Sequence, residues 1–188
     1  MIKHGDKKLH PKFVTKLLND LFGIQSRAGC MCAGPYGHCL LQFSEEESQQ
    51  FSKFSQQGNF GIKPDWCRVN FHYLFSEVEF QFVCQSIEFI ADYGYLFLKD
   101  YSFNLNTGEW VHINFRDVNL SSKPDIKTVL STNLQNCFDE EVIDQKKEFT
   151  KYLKYAKDLV HNIGTEEDYL QFEYPETCLL YTSPSPRD

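Results

Sequence analysis

No stretch of this chain approaches the ~20 continuous apolar residues that a bilayer-spanning helix needs, so the sequence carries no membrane span. The opening residues, MIKHGDKKLHPKF, have no apolar core and do not read as a secretory signal. Basic residues are also in short supply. There are 19 Lys and Arg against 26 Asp and Glu, a net charge of −7. Without a cationic excess to neutralise phosphates, the chain does not read as a nucleic-acid binder. The clusters Lys7-Lys8 and Lys146-Lys147 read as solvated faces. Internal repeats are absent too, which excludes a solenoid or a propeller.

What is present points to one globular unit. Hydrophobic residues make up 41% and charged residues 24%, a balance that builds a core rather than a disordered tail. With 188 residues the core can be sizeable, and Phe (17) and Tyr (10) supply large side chains to fill it. The seven cysteines are irregularly spaced, and several fall inside apolar periodic segments. Cys39 and Cys84 read as small buried hydrophobes. That pattern predicts free thiols in a reducing compartment, cytoplasm or organelle matrix, rather than a disulfide framework.

The first helix is predicted over Leu9–Phe22, with Pro11 early, an apolar face of Val14, Leu17, Leu18 and Leu21, and Gly23 as its stop. Ile24–Arg27 reads as a short strand, followed by a glycine-rich loop to about Gly37. Residues 38–57 contain a helix begun by the capping box Ser44/Glu47. Gly58–Pro64 is a loop. Trp66–Leu74 reads as a strand, with Val69 and Phe71 alternating against Arg68 and Asn70. A second capping box, Ser76/Glu79, opens a helix carrying Phe80, Val83, Cys84, Ile87, Ile90 and Ala91 and ending at Gly94. Tyr101–Phe115 is a hairpin turning at Asn106-Thr107-Gly108. Asn119–Asp125 is a loop. Phe149 to Ile163 marks the last helix, stopped by Gly164. Interleaved strands and helices predict an α+β or α/β layer, a mixed or antiparallel sheet covered by helices.

The chemistry concentrates in GIQSRAGCMCAGPYGH, Gly23–His38. Cys30, Cys32, His38 and Cys39 could serve as a thiol or zinc-binding module without enzymatic activity. Structural zinc sites, however, space their cysteine pairs more widely than Cys30-x-Cys32. A disulfide between Cys30 and Cys32 would be strained. As a nucleophile, Cys32 needs a setting that favours thiolate, and backbone amides of the glycine-rich loop with Arg27 provide one. Arg68 lies in an otherwise apolar strand and is expected to be buried with a partner, either an internal acid or a substrate carboxylate held by two parallel hydrogen bonds.

LHPKFVTKLLNDLFGIQSRAGCMCAGPYGH resembles the C-terminal segment of class V aminotransferases, the group containing cysteine desulfurases and selenocysteine lyases. His10-Pro11, the helix to Phe22, Arg27-Ala28-Gly29 and Cys32-Ala33-Gly34-Pro35 carry the resemblance. KPDWCRVNFHYLFSEVEFQFV, Lys63–Val83, resembles the family's next element, an arginine on a strand followed by a helix starting near Ser-x-x-Glu. Cys30-Met31 stands where desulfurases commonly carry His-His, the stretch from Cys32 to Arg68 is longer than theirs, and Asn70 replaces a small hydroxyl residue.

The resemblance implies the C-terminal small domain of a fold type I enzyme using pyridoxal 5′-phosphate. The full enzyme would act on a small amino acid, of the desulfurase or C–S lyase type, and would be a homodimer. In that reading Arg68 and Arg27 bind substrate, Cys32 is catalytic, and His38 is a candidate cofactor contact. The Schiff-base lysine would lie outside this chain, leaving it inactive alone. Met1 then reads as an internal methionine of a longer protein. Residues 1–95 form the small domain, and 96–177 an extension of hairpin and helix packed on it. Residues 178–188, CLLYTSPSPRD, read as a translated sequencing adapter. Removing them takes one Arg and one Asp, so the charge stays −7.

Overall fold

A computed structural model of the chain describes residues 2–4, 7–29, 34–63, 65–116 and 144–163. Its first long element is helix α1, Pro11–Phe22. His10 holds an extended backbone and caps the helix with its ring, Nδ1 accepting the Lys12 amide at 3.2 Å. Pro11 follows where a missing N–H costs nothing. The stripe Phe13, Val14, Leu17, Leu18, Leu21 and Phe22 is buried, and Gly23 closes the helix by donating its amide to the Asn19 carbonyl at 2.9 Å. Phe13, Leu17 and Leu18 are completely shielded. Each such side chain stabilises the fold by roughly 1.5–3 kcal/mol.

The remaining core is laid around α1. Helices α2 (Gly34–Leu41) and α3 (Glu45–Gln56) come next, then helix α4 (Glu77–Tyr93). Both predicted capping boxes form with both reciprocal bonds, Ser44 with Glu47 and Ser76 with Glu79. Helix α4 buries Phe82, Val83, Phe89 and Ile90, whereas α3 buries no residue. The last described helix, α5 (Gln145–Ile163), packs on both α1 and α4. Its Ala156 is fully buried, and its Phe149 stacks on Phe82 with ring centres 4.1 Å apart.

Strands among the described residues form three separate two-stranded antiparallel ribbons, a mixture of helices and small antiparallel sheets compatible with α+β. They are β1 (Lys3–His4) with β2 (Lys7–Lys8), β3 (Arg27–Ala28) with β4 (Cys67–Arg68), and β5 (Tyr101–Asn104) with β6 (Glu109–His112). The last ribbon is the predicted hairpin. Its Trp110 enters the core against Phe13, ring centres 4.6 Å apart, so the hairpin shares one core with α1.

Several boundaries differ from the sequence expectation. The strand Trp66–Leu74 pairs only over Cys67–Arg68, and the strand Ile24–Arg27 pairs instead over Arg27–Ala28. Phe71 is accordingly exposed. Helix α2 begins at Gly34, inside the expected loop. A 3-10 turn, Phe60–Ile62, interrupts the Gly58–Pro64 loop, and another, Gly94–Asp100, continues directly from α4. Helix α5 starts at Gln145, earlier than Phe149. Cys39 is exposed and Cys84 half-buried, so neither is the buried hydrophobe expected. Met1, the Asn119–Asp125 loop, Gly164 and the Cys178–Asp188 segment lie outside the described residues. No helix among the described residues is long and apolar enough to cross a membrane.

Candidate functional site

The ribbon β3–β4 brings the two singled-out arginines together. Its register sets Arg27 opposite Arg68 and Ala28 opposite Cys67. Residues directly opposite in an antiparallel pair project to the same face, with Cβ atoms about 4.5–5.5 Å apart. One face meets α1, where the Thr15 hydroxyl reaches the Cys67 sulfur at 3.4 Å and Cys67 Sγ reaches Ser26 Oγ at 3.6 Å. The other face carries both arginines, and both are exposed.

The burial expected for Arg68 is therefore corrected. Alternation along a strand turns Cys67 inward and Arg68 outward. No carboxylate among the described residues forms an ion pair with either arginine. Two like charges directly opposite are mildly repulsive. Their guanidinium forks stay available for a carboxylate or phosphate from outside the chain.

Beyond this pair the ribbon runs into the cysteine-bearing segment. Gly29 donates its amide to the Trp66 carbonyl at 3.3 Å, and holds φ +132°, a backbone conformation that favours glycine. Cys30 and Cys32 lie outside the described residues. The chain is next described at α2, where Gly37 meets the same tryptophan. A Cβ on Gly37 would come within 2.4 Å of Trp66 Cζ3. Trp66 thus holds Gly29 through its backbone and Gly37 through its ring. Cys39 is exposed on α2, and His38 belongs to the same helix, its backbone alone being described. Among the described residues, no group of three His, Cys, Asp or Glu could hold a metal ion.

Asp65 joins this corner. It is 6% exposed, and its Oδ1 accepts the Trp66 amide at 2.6 Å. Burial pushes its carboxyl above the usual aspartate range, while the amides of Trp66 and Gly29, with Lys12 and Lys63, pull it partly back. Sequence reasoning passed over Asp65 and the part played by Trp66. An aspartate beside a tryptophan carries no burial signal, because Gly29 and Gly37, which complete the corner, lie far back in the chain. The missing side chain at Gly37 was the available clue to a bulky neighbour, while Gly29 is required by its positive φ.

Pyridoxal phosphate needs a free lysine and a phosphate cradle. The lysines near Thr15 and Ser26 are already engaged. Lys12 Nζ donates to the Thr107 carbonyl at 3.2 Å, and Lys16 pairs with Asp20 at 3.4 Å. Neither of these two lysines is free to hold the cofactor. What the described residues offer is the cationic face of Arg27 and Arg68. Comparisons with protein-family models, with curated proteins and with solved structures find no match.

Proposed function

We propose that this chain supplies the carboxylate-gripping wall of a class V aminotransferase-like site acting on a small amino acid, of the cysteine desulfurase or C–S lyase type. The observation that carries the reading is the cross-strand pair Arg27/Arg68, exposed on one face and without an acidic partner among the described residues. A guanidinium fork matches a carboxylate through two parallel charge-assisted hydrogen bonds. Arg68 takes the substrate carboxylate and Arg27 strengthens the local positive field. That field also favours the thiolate of a nearby cysteine, the role assigned to Cys32. On this reading pyridoxal phosphate supplies the electron sink and is held by residues outside this chain, and His38 at most supports it. The small-domain fold, residues 1–95 with the extension 96–177, and a homodimeric parent belong to the same proposal.

The test is carboxylate recognition by the 188-residue chain itself. L-alanine should shift the Nε–Hε resonances of Arg27 and Arg68, and L-alaninamide should not. Arg68→Gln should abolish the response. Equal responses to acid and amide, or none to either, would end the reading.

A further inference from the structure

The turn between β4 and α4 is firmly built and left bare. Phe75 donates its amide to the His72 carbonyl at 3.0 Å, and Leu74 donates its amide to His72 Nδ1 at 3.2 Å. The Ser76/Glu79 capping box then fixes the chain where α4 begins. Tyr73 and Leu74 stand at the tip of this turn, 87% and 71% exposed. Phe71, Phe75, Val78 and Phe80 are exposed beside them, with the Phe71 and Phe80 rings 5.3 Å apart. Six such side chains present about 600 Å² of apolar surface, the upper end of what a monomer leaves uncovered.

A complementary feature lies on the same chain. A cavity of about 530 Å³ opens between α1, α2 and α4, with Val14, Leu18, Leu40, Trp66 and Ile87 in its wall. Pockets of this size and apolar lining hold a drug-sized group, and so have room for the two side chains of the tip. Lys8 is half-buried on the same wall, and its long stem can carry the ammonium to the mouth. Glu77 is exposed beside the tip. Neither forms an ion pair with a described residue. Asp65, also on the wall, already accepts the Trp66 amide. Tip and cavity are both apolar, and their margins carry opposite charges.

We propose that two copies of this chain pair by exchanging these features, the Tyr73–Leu74 tip of each entering the cavity of the other, with Glu77 of one copy against Lys8 of the other. Val69 belongs to the cavity wall and is separated from Leu74 by at most about 18 Å of chain, so tip and cavity lie close together. A mutual exchange about a two-fold axis uses both contacts twice and closes at two copies. The tip, with the cavity wall of the same copy, reaches the roughly 800 Å² per partner of a stable interface. The turn is ordered before pairing, so little entropy is lost in docking it. This pairing rests on the 71–80 surface alone and stands whether or not the carboxylate grip holds.

The test is the oligomeric state of the full 188-residue chain, measured by sedimentation equilibrium over a range of concentrations. A monomer–dimer equilibrium is expected. Tyr73→Ser with Leu74→Ser, both at exposed positions, should weaken it at least about 10-fold, as loss of central anchors does, and should leave the urea midpoint unchanged. Leu40→Glu, at the exposed edge of the cavity, should weaken it similarly. Mixing the two variants should restore one of the two contacts and give hetero-pairs tighter than either variant alone. A chain that stays monomeric up to about 1 mM overturns the proposal, including one that instead binds phosphatidylcholine vesicles or another protein. So does a dimer that survives the double substitution, a dimer that Leu40→Glu leaves intact, or mixed variants that do not pair.

Discussion

Gly61 and Gly108 meet backbone to backbone: a Cβ on Gly108 would lie 3.0 Å from the Gly61 Cα, and one on Gly61 would lie 2.7 Å from the Leu105 carbonyl oxygen. Around this contact Gly61 donates its amide to Leu105 O at 2.8 Å, and His10 Nε2 donates to Gly61 O at 3.0 Å. The start of α1, the 3-10 turn at Phe60–Ile62 and the hairpin are joined at one point. Gly61→Ala should therefore destabilise the chain by about 1–3 kcal/mol, the usual cost of forcing atoms into a filled space. Gly108→Ala should add the strain of a left-handed backbone, since Gly108 has φ +70°. Urea denaturation measures both, and an unchanged midpoint for Gly61→Ala would refute the close contact.

His10 should make stability fall in mild acid. Burial lowers its pKa from 6.5 to about 4, with the Gly61 hydrogen bond opposing and Lys12 assisting the shift. The native state therefore takes up this proton later than the unfolded state does. The contribution is fully present above pH 6.5, shrinks as pH falls toward 4, and changes no further below that. The total is about 3 kcal/mol for a shift of this size. His10→Asn keeps an oxygen able to cap the helix but removes the titration. Denaturation midpoints at pH 7, 5.5 and 4 should fall more steeply for the parent chain than for His10→Asn; parallel slopes would contradict the buried neutral ring.

The arginine pair predicts a trade between stability and binding. Replacing Arg68 by Thr removes a like charge opposite Arg27 and adds a good strand former. The variant should match or exceed the parent by a few tenths of a kcal/mol at low salt, and the difference should shrink in 0.5 M NaCl. Its response to L-alanine should vanish. A clear loss of stability would mean that Arg68 has a structural partner.

The two capping boxes should differ in consequence. Ser76→Ala removes the cap of a helix built into the core and should lower global stability by about 1 kcal/mol. Ser44→Ala removes the same kind of cap from α3, which buries nothing. There the loss should appear as faster amide exchange within α3, with an almost unchanged global midpoint. Equal effects on global stability would show that α3 is part of the cooperative unit.

The helices could be read from the sequence because their signals are local. Ser44/Glu47 and Ser76/Glu79 specify their own starts, and the stripe from Val14 to Leu21 specifies a buried face. The short strands could not be read this way. Val69 and Phe71 keep an alternating pattern in extended chain whether or not a partner strand lies alongside, so the ladder's length was not encoded there. Cys39 was misread for a geometric reason. Gly37 packs on Trp66, and two residues further along a helix is about 200° around its axis, which turns Cys39 to solvent. The burial of Asp65 and the bond from His10 to Gly61, 51 residues away, depend on long-range closure and leave no local trace.

Trp66 has a consequence for how this chain can change. Gly29 and Gly37 both meet this one residue, Gly29 at its backbone carbonyl and Gly37 at its ring. A change at Trp66 therefore reaches the end of the arginine ribbon and the packing of α2 together, whereas a change at either glycine touches one of them.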